Sequence, residues 1–457
     1  MEALGGKAEP GLINNLCDTF RENTQINPAW YAKYGIKRGL RNADGTGVLA
    51  GMTRISNVHG YVLNEGEREP IEGRLTYRGI DLYNLLDGIS SENRFGYCEV
   101  AYLLICGRLP TAHQLQTFGQ AISESRDLPA NFTEDVLMRA PSPDIMNKLA
   151  YATLALYASD PNPDDTSVEN IMRQGISLIA RFPVIISHAY QAKRRYFDNA
   201  SMYLHVPDKT KSTAENILGL IRPDGVYTAE EAHLLDRCLV IHAEHGGGNN
   251  SAFAARVASS SGTDTYSAIA AAVGALKGPR HGGANHKVIQ MFDDIKAHVT
   301  DWTDEDAVYD YLLRILRREV NDHSGLIYGM GHAVYTLSDP RAVALKNGAR
   351  PLAEQKGYLK EFELIERVEK LTARAMAQVR GGLDKPICAN VDLYSGLVYR
   401  MLGIPEELFT PLFATARVIG WMAHRMEEIT TGGKIIRPAY KPLKHEKRFY
   451  VPLSARE

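Results

Sequence analysis

The sequence predicts a mainly α-helical protein with one small antiparallel β element near its N-terminus. Apolar residues recur at helical spacing through most of the chain beyond Asp81. β-like pieces are confined to about residues 47–82, and such strands are too few for a parallel sheet.

Taken in order, residues 1–45 are polar and uneven and read as a loose helical lead-in. TRISNV, GYVL and GRLTYRG follow, broken by glycines and the charged NEGEREP, and form the strand cluster. CEVAYLLICGRLP reads as a helix that stops at its proline. NIMRQGISLIARFPVIISHAYQAKR reads as a long helix interrupted at Pro183. EEAHLLDRCLVIHAEH puts Leu234, Leu235, Cys238, Leu239 and Ile241 in one apolar stripe. Tyr266, Ile269, Ala270, Val273 and Leu276 predict a helix over 265–277 that Gly278-Pro279 ends. Val288, Phe292 and Ile295 give the next helix its apolar face. Asp339-Pro340 reads as an N-cap and first-turn proline, with Arg341 in that turn. Residues 390–403 read as a helix capped by Asn390 and closed by Gly403, with Asp392 where the macrodipole favours a carboxylate. Residues 411–428 form a strongly apolar helix around Arg417.

A chain of 457 residues can bury a large core, and its length suggests two or three domains. A formal net charge of −2 offers no basic field for nucleic acid. The five cysteines (Cys17, Cys98, Cys106, Cys238, Cys388) are isolated, which fits a reducing compartment and argues against a thiolate metal site. MEALGGKAEP has neither the basic nor the apolar region of a secretory signal, and the most apolar run, 268–276, is far short of a membrane span. The expectation is a soluble cytoplasmic protein with no nucleic-acid or membrane partner.

Chemistry gathers in glycine-flanked places. His242, Glu244 and His245 precede three glycines, His281 sits in Gly-Pro-Arg-His-Gly-Gly, and His332 follows Gly329-Met330-Gly331. Spacing alone suits His281 equally to a cleft or to a surface turn. Asp392 suits either chemistry or helix stability. Arg417 either meets an anion or snorkels to the surface. Arg437 follows a Gly-Gly turn. No HExxH occurs, and His-x-Glu lacks its Pro-Cys-x-x-Cys partner, so no metal is expected. The Walker pattern fails at Glu428 and Ile435, and Val334 replaces the third glycine of a dinucleotide fingerprint. Histidines in glycine-set loops, a helix-start aspartate and several arginines suit a small polyanionic substrate and acid–base work on carbon.

HAEHGGGNNSAF, LKGPRHGGAN, GMGHAVYTLSDPR and NVDLYSG, with TRISNVHGYV and GRLTYRGIDL before them and IIRP near the end, resemble the citrate synthase family over nearly the whole chain, closest in wording to its bacterial forms. Departures are Gly246, where many members have Glu, the segment Pro141-Ser142-Pro143-Asp144, and the tail after Pro438. The resemblance implies a two-domain helical fold: a large domain over 1–282, a small domain over 283–403 closing on the cleft, and a return to the large domain over 404–457. It also implies a homodimer with Arg437 contributed across the interface.

By resemblance, oxaloacetate and acetyl-CoA are the substrates and no cofactor is needed. Asp392 would take the methyl proton of the thioester, and His281 would hydrogen-bond its carbonyl. His332 would polarise and protonate the ketone. His245, His332, Arg341, Arg417 and Arg437 would hold oxaloacetate, with His242 buttressing His245. Gly329, Met330, Gly331, Ala333 and Val334 would meet CoA. A 2-methylcitrate synthase using propionyl-CoA shares all these residues, and a non-catalytic CoA-binding paralogue is a third, distant reading.

Overall fold

The computed structural model describes residues 11–42, 44–65, 67–382, 386–443 and 449–456. It falls into two compact units, Met1–Met52 and Thr53–Glu457. The described part of the first holds helices Leu12–Asn23 and Ala29–Lys33, neither with a buried residue, as expected of a loose lead-in.

In the second unit the β element is a three-stranded antiparallel sheet, β1 (Ser56–Asn64), β2 (Glu67–Tyr77) and β3 (Ile80–Asp81), in that order. Beyond it, the regular elements among the described residues are helices. The helix Phe409–Thr430 is central, burying Leu412, Val418, Ile419, Trp421 and Met422. Around it pack Tyr97–Cys106, Val168–Phe197, Ala229–His242, Asn250–Ser260 and Thr265–Lys277. Helix Pro340–Gln355 lies on both Ala229–His242 and Asp392–Met401, and the latter also packs on Ala284–His298.

One expectation needs correcting. Val168–Phe197 runs 30 residues without a break through Pro183. Proline removes one backbone donor, which alone would favour a kink. Here Ile179, Phe182, Pro183, Val184 and Ile185 are all buried, so packing on both sides keeps the two halves in one helix. Helix Thr265–Lys277 matches its expected range, with Asp264 accepting from Ser267 N at its start. No described helix is long and apolar enough to cross a membrane.

Candidate active site

Two segments far apart in sequence are laced together by backbone. Met330 bridges Ala389, Asn390 N donates to Gly329 O at 2.8 Å, and Gly331 N donates to Cys388 O at 2.7 Å. Asn390 Nδ2 adds a bond to Gly331 O at 3.0 Å. Gly329 is required: its φ is 82°, and a Cβ there would lie 2.9 Å from Leu393 Cα. His332 and Asp392 are thereby carried on one stitched patch. The helix begins at Asp392 itself, and Asn390 caps from two residues ahead by accepting from Asp392 N at 3.0 Å.

His332 Nδ1 accepts from Val334 N and Tyr335 N, each at 3.1 Å. That nitrogen must present its lone pair, so the proton of the neutral ring sits on Nε2. Tyr335 stacks on the ring at 4.6 Å. The hairpin supports this loop from behind, where Gly73 N donates to Ser338 Oγ at 3.1 Å. A Cβ on Gly73 would come within 2.1 Å of Ser338 O, so the backbones touch. Burial pushes the Asp392 carboxyl up to about 6 while Arg341 pulls it down and Asp339 raises it. Asp339 caps its helix as expected and also grips Arg341, through Nε at 3.1 Å and Nη2 at 2.7 Å, both side chains buried.

The opposite wall is built differently. Helix Ala229–His242 ends at His242, and the chain turns into Gly246 at φ 88°. His245 lies edge-on to His332 at 5.2 Å and to Tyr335 at 5.7 Å. Its Nε2 is buried and finds no hydrogen-bond partner among the described residues. Burial, with Arg341, His332 and Arg417 nearby, holds its pKa well below the usual histidine range. His242 buttresses Arg417, through its carbonyl, which accepts Arg417 Nε at 2.7 Å. Its Nδ1 is engaged by Cys238 O at 2.8 Å, and burial pushes the ring down to about 3. The expected brace on His245 is not the role these bonds give it.

His281 Nε2 lies 3.0 Å from Ser251 Oγ. Ser251 Oγ donates its one proton to Asn249 Oδ1 at 2.9 Å and accepts from Trp421 Nε1 at 3.1 Å. Burial and then Arg417 push this histidine down to about 4, so it is neutral near pH 7. Phe413 is shared by three groups: the His242 ring at 4.9 Å, the His281 ring at 6.3 Å and the Arg417 guanidinium at 4.8 Å.

Arg417 is completely buried, which rules out snorkelling. Its Nη1 and Nη2 find no hydrogen-bond partner among the described residues, and burial lowers its pKa to about 10. A guanidinium so placed calls for an anion. Arg437 is not brought to this site. It is exposed, and the preceding Ile436 N is tied to Ser260 Oγ at 3.1 Å. Ser260 is nine residues along a helix from Ser251, roughly 13 Å at 1.5 Å per residue.

Of the loop expected to meet CoA, Met330 N, Gly331 N and Val334 N are engaged within the fold, by Ile327 O, Cys388 O and His332 Nδ1. Any ligand contact there falls to the loop's other groups. Sequence reasoning missed Ser251, Phe413 and Tyr335. Phe413 lies four residues before Arg417 on the same helix face, a spacing that signals contact; nothing local in sequence marks Ser251.

A family model described as citrate synthase, C-terminal domain, matches residues 42–439. The chain is 34% identical to a citrate synthase of Synechocystis sp., over 90% of its own length and 92% of the relative's. It is also 34% identical to 2-methylcitrate synthase 1 of Corynebacterium glutamicum, over 92% and 98%. The ternary complex of carboxymethyl coenzyme A and oxaloacetate with the citrate synthase of the archaeon Thermoplasma acidophilum matches at a TM-score of 0.75 and 27% identity, covering 92% of this chain and 99% of that one.

Proposed function

The chain belongs to the citrate synthase family, and from that premise we propose that it condenses acetyl-CoA with oxaloacetate and hydrolyses the product to citrate and CoA. The observation that carries this reading is that Arg417 Nη1 and Nη2 and His245 Nε2, all buried, find no hydrogen-bond partner among the described residues. Together they offer donors to one carboxylate, with Arg341 on the facing wall for the second. The acetyl group is our assignment, since relatives of equal identity carry both names.

In this reading Asp392 takes a proton from the thioester methyl group, and His281 hydrogen-bonds the carbonyl oxygen as the enolate forms. The enolate carbon attacks the ketone carbon of oxaloacetate. His332 gives its Nε2 proton to the developing alkoxide, the tautomer its two backbone donors favour. Water then hydrolyses the citryl thioester and releases CoA. Oxaloacetate binding closes residues 283–403 over the cleft before the thioester binds.

Arg437 completes the site from the partner of a homodimer. The roughly 13 Å separation of its tether from Ser251 supports that assignment. Refolding a mixture of Asp392→Ala and Arg437→Ala chains then restores about a quarter of wild-type activity, because half of the dimers are mixed and each has one intact site. No recovery, with heterodimers confirmed by mass, removes the shared site.

Thiol release with oxaloacetate and each of acetyl-CoA and propionyl-CoA tests the function. Higher kcat/KM with acetyl-CoA is expected; preference for propionyl-CoA makes the protein a 2-methylcitrate synthase, and no release with either makes it non-catalytic.

A further inference from the structure

The turn between His242 and His245 carries a buried carboxylate, Glu244, for which the condensation proposed above has no chemical use. Its Oε1 accepts three hydrogen bonds, from Gly246 N at 2.6 Å, His424 Nε2 at 2.7 Å and Ser56 Oγ at 2.8 Å. Its Oε2 is equally buried and finds no partner among the described residues. Arg417 lies close by. A Cβ built on Gly420 would fall 2.3 Å from Glu244 Oε2 and 3.4 Å from Arg417 Cδ, so the two side chains border the same small space.

A buried carboxylate oxygen and a buried guanidinium, side by side and without a hydrogen bond between them, are not at their lowest mutual energy. Glu244 would gain by swinging Oε2 onto Arg417. What prevents this is the clamp on Oε1, and its side-chain anchor deepest in the protein is His424, completely buried. Arg256 donates to His424 Nδ1 through Nε at 3.1 Å and Nη2 at 2.8 Å. Arginine has only donors, so Nδ1 presents its lone pair and the ring proton lies on Nε2, directed at Glu244. Arg256 is held in turn by Glu428 at 2.9 Å and by Glu427. The chain of contacts Glu427/Glu428–Arg256–His424–Glu244 thus fixes both the tautomer and the carboxylate.

We propose that His424 is a positioning residue for oxaloacetate binding: by clamping Glu244 Oε1 it keeps the carboxylate off Arg417 and leaves that guanidinium open to a substrate carboxylate. The inference rests on the proposed role of Arg417. Without the clamp Glu244 pairs with Arg417, and the substrate must then displace a buried ion pair before it can bind.

Calorimetry with oxaloacetate separates the two ideas. Wild-type protein that does not bind oxaloacetate overturns the proposed function itself. Given wild-type binding, His424→Leu should raise the oxaloacetate Kd about tenfold or more, about 1.4 kcal/mol per tenfold. The KM for the acyl-CoA should stay within about twofold. His424→Gln, which keeps a donor, should recover most of the loss. The decisive variant is the double replacement His424→Leu with Glu244→Gln. A neutral amide forms no ion pair with Arg417, so oxaloacetate affinity should return toward wild type, where simple damage to the fold would deepen the loss. Ser56→Ala, at a partly exposed site, tests the same clamp should His424→Leu not fold, and should weaken oxaloacetate about two- to threefold, reversed again by Glu244→Gln. Unchanged affinity in the folded single variants, or a loss that Glu244→Gln does not reverse, overturns the proposal.

Discussion

The two walls of the cleft reach their geometry by different means. The wall bearing His332, Arg341 and Asp392 is stitched by main-chain hydrogen bonds between 329–331 and 388–390. Its arginine is already paired, with Asp339. The wall bearing His245, His281 and Arg417 is set by side chains, through Ser251, Phe413, Glu244 and His424, and its arginine has two nitrogens without partners among the described residues. Backbone stitching tolerates exchange of the side chains it carries. A wall made of side chains passes each change on to its neighbours.

The largest effect should come from testing that tolerance. Asp392→Asn leaves the stitching intact, because main-chain groups of 329–331 and 388–390 make it. It should lower kcat about 10²- to 10⁴-fold, the usual range for a lost general base, with oxaloacetate affinity by calorimetry little changed. A parallel loss of binding would mean that the carboxylate helps to build its wall.

Next come the two arginines. Removing one charge-assisted contact costs about 1.5–3 kcal/mol. Arg417→Ala should fall at the upper end, about a hundredfold in oxaloacetate Kd, and Arg341→Ala at the lower, about tenfold, since Arg341 must loosen from Asp339 to bind substrate. Equal losses would erase the distinction between a paired and an unpaired cation.

Glycine replacements compare the walls in stability. Gly420→Ala would put a methyl group 2.3 Å from Glu244 Oε2 and should cost about 1–3 kcal/mol in urea unfolding. Gly331→Ala meets nothing within 4 Å and should cost only the strain of its φ of 92°, about 1 kcal/mol.

The smallest effect is on pH. Asp392 must be ionised to act, so kcat/KM should fall as pH drops through about 6. Arg341→Gln removes the charge that pulls this pKa down and frees Asp339 to push it up, so the acid limb should move to higher pH. Arg417→Gln, on the other wall, should leave the limb in place.

How much of this was legible in the sequence follows the same division. Glycines around His332, the Asp339-Pro340 start and the short-range cap at Asp392 are local signals, and the backbone-built wall reads well from them. The second wall depends on contacts between residues more than a hundred positions apart, such as His281 with Trp421 through Ser251, or Glu244 with His424. Glu244 drew notice only in the His-x-Glu spacing weighed against a metal site, and His242 as a brace for His245, because spacing cannot reveal that a carbonyl holds Arg417. Pro183 read as a break because a proline's local cost is visible in sequence and the packing that overrides it is not.

The two nitrogens of Arg417 that find no partner among the described residues also make heat resistance a gauge of anion occupancy. A ligand that binds only the native state adds RT ln(1 + [L]/Kd) to its stability, about 2.7 kcal/mol at a hundred times Kd. Oxaloacetate should therefore raise the melting temperature with no turnover taking place, and the rise should shrink in Arg417→Ala protein at the same concentration. A scan of melting temperature against the concentration of any small dicarboxylate then ranks candidate substrates and inhibitors by how well each satisfies that one guanidinium.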